Sequence, residues 1–180
     1  MMKIAYLGDY FCPRDTPVPA ISESIRLLFA GCDDVFVNFE GPLVASPAAP
    51  PAFKTGPSLS QSKEGIVALV RMGVTGISLA NNHANDYGED GLRHTIDTAT
   101  ELGIKTVGVR RNGVDVPVLS TARFKVATLA FAEEEWCGAA ANEIGVSIFD
   151  VIEAARAIKR ARVVSDAVVV LLHGNNEYNS

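Results

Sequence analysis

Asp9, Asn38, Glu40, Asn81, Asn82, His83, Asp86, His173 and Glu177 are the residues whose types could hold a cation or move a proton. Carboxylate and amide oxygens and imidazole nitrogens are the donors that hard or borderline divalent metals take. The densest run is Asn81-Asn82-His83-Ala84-Asn85-Asp86-Tyr87-Gly88-Glu89. Three amides, an imidazole and a carboxylate between an apolar strand and a helix do not belong in a core. A turn needs no imidazole, so Asn82 and His83 point to chemistry. Asp86 has a structural alternative, as helix N-cap with Glu89 closing a capping box three residues later. His173 ends the apolar run Ala167–Leu172 and has Glu177 four residues on. Asp9 follows Leu7-Gly8, a pair that also suits a plain turn. Glu40 stands next to Val37 and Phe39, where a lone carboxylate is expensive and a cation is a natural partner.

Positioning such groups requires strands that end at one edge. Short apolar, β-branched runs alternate with helical patterns, which is the signature of an α/β sheet. The strands are predicted at Lys3–Leu7, Val35–Asn38, Gly76–Ala80, Lys105–Gly108, Lys125–Ala130 and Ala167–Leu172. Several are apolar on consecutive residues, as strands covered on both faces are. Helices are predicted at Ile21–Phe29, Ser62–Met72, Gly88–Leu102 and Phe149–Arg162, with Ile66, Leu69 and Val70 on one face of the second. The Pro-rich stretch Pro47–Pro57 reads as a mobile loop, and Arg110–Ser120 as a turn with one short strand. In α/β sheets ligands bind beyond the carboxyl ends of the strands. Asp9, Asn38, Glu40, Asn82, His83 and His173 all fall there. His94 lies off the apolar face of its helix and reads as solvent-exposed, and Glu133-Glu134-Glu135 as a solvated loop.

The composition narrows the classes. With 180 residues the chain is read as one domain, residues 1–180. Hydrophobic residues at 48% and charged ones at 21% exclude disorder, collagen and coiled coil. A net charge of −5 argues against nucleic acid or an anionic membrane surface as partner. Cys12, Cys32 and Cys137 show no CxxC spacing and read as reduced residues. No apolar run reaches the roughly 20 residues a membrane span needs, and no signal segment is seen, so a cytoplasmic location is expected. There is no P-loop, GxGxxG, HExxH or GxSxG, which removes the common nucleotide, zincin and serine-hydrolase readings.

The run Ile77-Ser-Leu-Ala-Asn-Asn-His83, followed by Asp86-Tyr-Gly88 and Gly91-Leu92, resembles the ANNHxxDxGxxGL block of the bacterial capsule or poly-γ-glutamate synthesis family (CapA type). Leu7-Gly8-Asp9 resembles its opening GD, Val37-Asn38-Phe39-Glu40-Gly-Pro-Leu43 its NLExPL block, and His173 through Glu177-Tyr178 its HWGxEY block. Here Gly174-Asn175 replaces the Trp-Gly of that last block. The resemblance implies an α/β fold of the calcineurin-like metallophosphoesterase type, a sandwich of β-sheets flanked by helices. It places Asp9, Glu40, Asn82 and His173 at metal-ligand positions for Mn, Zn or Mg and makes His83 the catalytic acid–base candidate. Asn81, Asp86 and Glu177 are the expected substrate contacts. The family continues to a GHHPH-like block that this sequence lacks, so the domain is expected to be C-terminally truncated, with a weakly held ion.

Two functions follow from this. The first is a metal-dependent hydrolase acting on a phosphoester or on an amide of an anionic capsule-type polymer. The second is a non-catalytic polymer-binding or assembly component, or a degenerate homologue. The two-sided apolar strand Ala167–Leu172 near the end of the sequence also predicts a homo-oligomer.

Overall fold

The computed structural model describes residues 2–14, 16–18, 20–46, 49–54, 56–111, 114–115, 118–120, 124–134 and 144–174. Its first part alternates strand and helix: β1 (Ile4–Tyr10), α1 (Glu23–Ala30), β2 (Asp34–Phe39), α2 (Lys63–Met72), β3 (Gly76–Ser78), α3 (Gly88–Glu101) and β4 (Lys105–Val107). The four strands form one parallel sheet in the order β1-β2-β3-β4. The remainder supplies β5 (Val109–Arg111), β6 (Val114–Asp115), β7 (Val118–Ser120), β8 (Val126–Ala132), β9 (Ile144–Val146), α4 (Val151–Val164) and β10 (Ala167–His173). A second sheet runs β10-β8-β7, with β10 parallel and β7 antiparallel to β8, and a small third sheet runs β6-β5-β9. The stretch expected to be a turn with one strand thus holds β6, β7 and the end of β5. Strands of two or three residues are too short to show a period.

The layers follow from side-chain alternation, since successive residues of a strand point to opposite faces. Ala127, Leu129 and Phe131 of β8 pack with Ala154, Ala157 and Ala161 of α4. Ala130 and Ala132 join the core of the first sheet instead. Between them Thr128 Oγ1 lies 2.9 Å from the Tyr6 hydroxyl of β1. On the far side of the first sheet, Ile66 and Leu69 of α2 and Leu92, Ile96 and Ala99 of α3 join Val35, Val37 and Phe39 in one buried cluster. The order is therefore helices, first sheet, second sheet, α4: the α/β sandwich expected. It explains why β2 and β8 are apolar on consecutive residues.

Two of the four helices, α2 and α4, start on a side-chain cap, while α1 and α3 do not. The Ser62 side chain accepts from Gly65 N–H at 2.9 Å to start α2, and Gly73, at φ +94°, closes it. Asp150 caps α4 by accepting from Ile152 and Glu153 N–H. The expected capping box on α3 does not form. Tyr87 occupies the N-cap position without a side-chain bond, Glu89 pairs with Arg93 at 2.6 Å, and Asp86 is turned inward. His94 is half-buried where full exposure was expected.

Two positions show close approach. A Cβ on Gly76 would stand 2.3 Å from the Phe36 ring, so this strand residue must be bare. Gly108 combines φ +83° with a would-be Cβ 2.5 Å from Ala80, directly beneath the turn that carries Asn81 to His83.

The bulge in β1 matters most. Tyr6 pairs with Phe36 but Asp9 pairs with Asn38, so β1 spends one more residue than β2 over this interval. An extra residue re-aims everything after it. Tyr6 faces the second sheet, and without the bulge Tyr10 would face it too. Instead Tyr10 donates its hydroxyl to the Gly65 carbonyl of α2 at 3.0 Å, and Asp9 takes the side of the second sheet.

Candidate functional site

Asp9 lies within β1, Asn38 is the penultimate residue of β2, His173 is the last of β10, and Asn82 follows β3. A chain of hydrogen bonds joins them across the two sheets. Asn81 Nδ2 donates to Asn38 Oδ1 at 3.2 Å and to the Phe39 carbonyl at 2.9 Å. Asn38 Nδ2 donates to Asp9 Oδ1 at 2.7 Å and stands 3.2 Å from His173 Nδ1. His173 Nε2 lies 3.1 Å from Asn82 Oδ1. An amide nitrogen only donates, so His173 Nδ1 accepts and its proton sits on Nε2, donated to Asn82. The cluster borders a cleft of about 300 Å³ lined in part by Leu7, Asp9, Asn38, Ser78 and His173. It is open to solvent: the Asp9 side chain is 56% exposed and that of His173 23%.

The donor set fits a divalent cation in part. Asp9 Oδ1 and His173 Nδ1 are 3.8 Å apart, as two ligands of one ion with bonds of about 2.0–2.2 Å can be. The Asn38 amide group, partly positive, already sits where both lone pairs are aimed. Among the described residues no three His, Cys, Asp or Glu side chains converge, so amide oxygens of Asn38 or Asn82 would have to complete the shell. Asn38 is therefore the hub, although Glu40 was the ligand expected from β2. Glu40 is half-buried, with its N–H on the Tyr10 carbonyl at 3.1 Å and its own carbonyl accepting from Gln61 Nε2 at 2.8 Å. It does not line the cleft. The signal for Asn38 was present: an amide inside Asp34-Val-Phe-Val-Asn-Phe39 breaks a strand buried on both faces.

A second polar cluster lies beside the first and is closed to water. His83 Nδ1 is 2.7 Å from Asp86 Oδ2, which also accepts from Leu59 N–H at 2.6 Å. Lys54 forms an ion pair with Asp86 Oδ1 and places its Nζ 3.2 Å from His83 Nδ1. Lys54 comes from the stretch expected to be a mobile loop, and its side chain is 7% exposed. No spacing rule would have found it, because its partner lies more than thirty residues away. Asn81 and Asp86, expected at the substrate, are 0% and 1% exposed and use their polar atoms inside the protein. Glu177 lies outside the described residues. Behind Asp9, burial pushes the Tyr10 phenol up to about 12, with the Cys12 thiol adding to the shift.

The pattern of one protein family, described as bacterial capsule synthesis protein PGA_cap, matches residues 6–180, which include every residue of both clusters. The chain belongs to this family. Its fold is accordingly the α/β metallophosphoesterase-type sandwich described above. The chain is 29% identical over 193 residues to the PGA biosynthesis protein CapA of Bacillus subtilis (strain 168), a match over 100% of this chain and 50% of that protein. It is 31% identical over 133 residues to the capsule biosynthesis protein CapA of Bacillus anthracis, over 68% of this chain and 32% of that protein. It thus spans half the length or less of these relatives. No helix among the described residues is long and apolar enough to cross a membrane.

Proposed function

We propose that this capsule-synthesis domain holds a divalent cation, Mn²⁺, Zn²⁺ or Mg²⁺, at Asp9 and His173 and hydrolyses a phosphoester or amide in an anionic capsule-type polymer. The observation that carries the reading is the meeting of Asp9 from one sheet with His173 from the other, 3.8 Å apart, around a single position held by an amide donor. Asp9 and His173 would hold the ion, and Asn38 and Asn82 would orient the imidazole and lend amide oxygens. A cation bound there supplies Lewis acidity and lowers the pKa of water in contact with it. His83, whose Nδ1 is 2.7 Å from Asp86 Oδ2, would carry the proton.

Titration of Mn²⁺ or Zn²⁺ into chelator-stripped protein, followed by calorimetry, tests the site. The expected result is micromolar or weaker binding that disappears in Asp9→Ala and in His173→Ala, since few ligands and an open geometry give low affinity. Tight binding that survives both substitutions would overturn the site. Hydrolysis of an aryl phosphodiester and of poly-γ-glutamate then separates the two bond types.

One observation favours the second reading, a polymer-binding component without catalysis. Among the described residues one carboxylate and one imidazole meet in the open cleft, and the rest of the cluster is amide, a group that recognises amide and carboxylate chains by hydrogen bonds. Polymer binding that is unchanged by a chelator, with no hydrolysis in the presence of metal, would decide for it.

A further inference from the structure

Lys54 is a buried cation that the metal reading does not use. Its side chain is 7% exposed and that of Asp86 1%. Burying a charge pair is poor evidence for stability, because an apolar pair of similar volume serves as well or better. Both members of this pair touch His83 Nδ1.

The geometry around Asp86 is fully specified. Oδ1 takes the Lys54 ammonium, and Oδ2 takes the Leu59 N–H at 2.6 Å and faces His83 Nδ1 at 2.7 Å. Lys54 Nζ also lies 3.2 Å from that same Nδ1, so the nitrogen has a donor on one side and an acceptor on the other. One proton decides between them. A bare Nδ1 would set its lone pair against a carboxylate lone pair at 2.7 Å, whereas a protonated Nδ1 makes a short, charge-assisted hydrogen bond there. The proton therefore sits on Nδ1, and Nε2 carries the lone pair. Among the described residues no hydrogen bond is made to Nε2. The backbone holds the imidazole in place: His83 N–H donates to Asn81 Oδ1 at 3.2 Å, and Ala52 N–H donates to the Asp86 carbonyl at 2.8 Å, two residues before Lys54.

We infer that Lys54 is a positioning residue for His83: by holding Asp86 Oδ1 it aims Oδ2 at Nδ1 and fixes the imidazole as the tautomer with a bare Nε2. The inference deepens the reading of His83 as the proton-carrying residue and rests on it for its purpose. Its geometry stands without any bound ion. Lys54, together with Ala52 whose N–H holds the Asp86 carbonyl, would then support the imidazole from outside the turn that carries it.

Long-range ¹H–¹⁵N correlation spectra of the metal-free chain, taken with chelator present at a pH where the imidazole is neutral, read the tautomer directly. In the wild type His83 is expected to be dominated by the Nδ1–H form. Lys54→Met should lose that dominance, and Lys54→Arg should regain it. A wild-type His83 in the Nε2–H form overturns the inference. So does a Lys54→Met protein that melts earlier yet keeps the wild-type tautomer, for Lys54 would then be only a staple. Should Lys54→Met fail to fold, Lys54→Gln, which keeps a polar group, is read by the same spectrum with the same expected loss. Because no ion is present, failure of metal binding leaves this result untouched, and failure here leaves the Asp9–His173 site standing.

Discussion

The two polar clusters at the carboxyl edge of the first sheet share a single turn, Asn81 to Asp86, and differ in how they are held. Asn81 and Asn82 reach across to Asn38 and His173 in a cluster open to solvent, where the Asp9 side chain is 56% exposed. His83 and Asp86 close on Lys54 in a cluster where no side chain is more than 8% exposed. In the first, the Asn38 amide donates to Asp9 and lies against His173, and the side chains of Asp9 and His173 are reached by solvent. In the second, both carboxylate oxygens are already occupied by the protein. An open cluster of acceptors is suited to gaining a ligand, and a closed one to holding a side chain still. The difference is one of solvent access, because charge–charge interactions strengthen sharply as water is removed.

Substitutions that break the comparison should differ most in stability. Asp86→Ala strands the buried Lys54 charge and should cost about 3–5 kcal/mol, read as a lowered urea midpoint with an unchanged slope. Asp9→Ala removes an exposed carboxylate and should cost no more than about 1 kcal/mol, yet abolish Mn²⁺ binding in the same calorimetric experiment. Equal stability losses for the two would mean that the clusters are not distinct.

A milder change sharpens the contrast within the open cluster. Asn38→Asp replaces the amide donor with a second carboxylate beside Asp9. Without metal the like charges should lower the melting midpoint. With Mn²⁺ the added ligand charge should tighten binding by about tenfold or more, seen as a larger metal-induced rise in the midpoint. An unchanged affinity would show that Asn38 does not face the ion.

The smallest effect concerns the opposite face of β1. Burial holds the Tyr10 phenol up to about 12, above its ordinary value of 10.0. The folded state thus keeps a proton that the unfolded chain gives up, and the resulting stability is complete below pH 10. It is lost as pH rises from about 10 through 12. Tyr10→Phe should flatten this alkaline decline, measured as melting midpoint against pH, while leaving metal binding at Asp9 unchanged. A parallel change in metal binding would show that the two faces of the bulge are coupled.

Much of the fold was legible in the residues. The continuous apolar runs at Val35–Asn38 and Lys125–Ala130 became strands buried on both faces, whereas Ala167–Leu172 became the half-buried outer strand of its sheet; Ile66 and Leu69 marked the buried side of α2, while Val70, expected with them, is exposed. Residue types also located the edge where Asp9, Asn82, His83 and His173 gather. Less visible were the short strands β5 to β7 and the choice of Asn38 over Glu40 at the open cluster. The first are too short to show a period, and the second depends on where β2 ends, at Phe39 and so before Glu40.

The sequence by itself determined the alternation of strands and helices, the family blocks and the carboxyl edge, because periodicity and turn chemistry are local properties. Only the tertiary structure decided which side of β1 carries Asp9, since the bulge between Tyr6 and Asp9 is a relation between two strands. It alone brought Lys54 to Asp86, for a lysine in a Pro-rich stretch has no local pattern that names its partner. And it alone set the open cluster apart from the closed one, because water is excluded by packing between distant segments, and the same carboxylate is cheap in the one place and costly in the other.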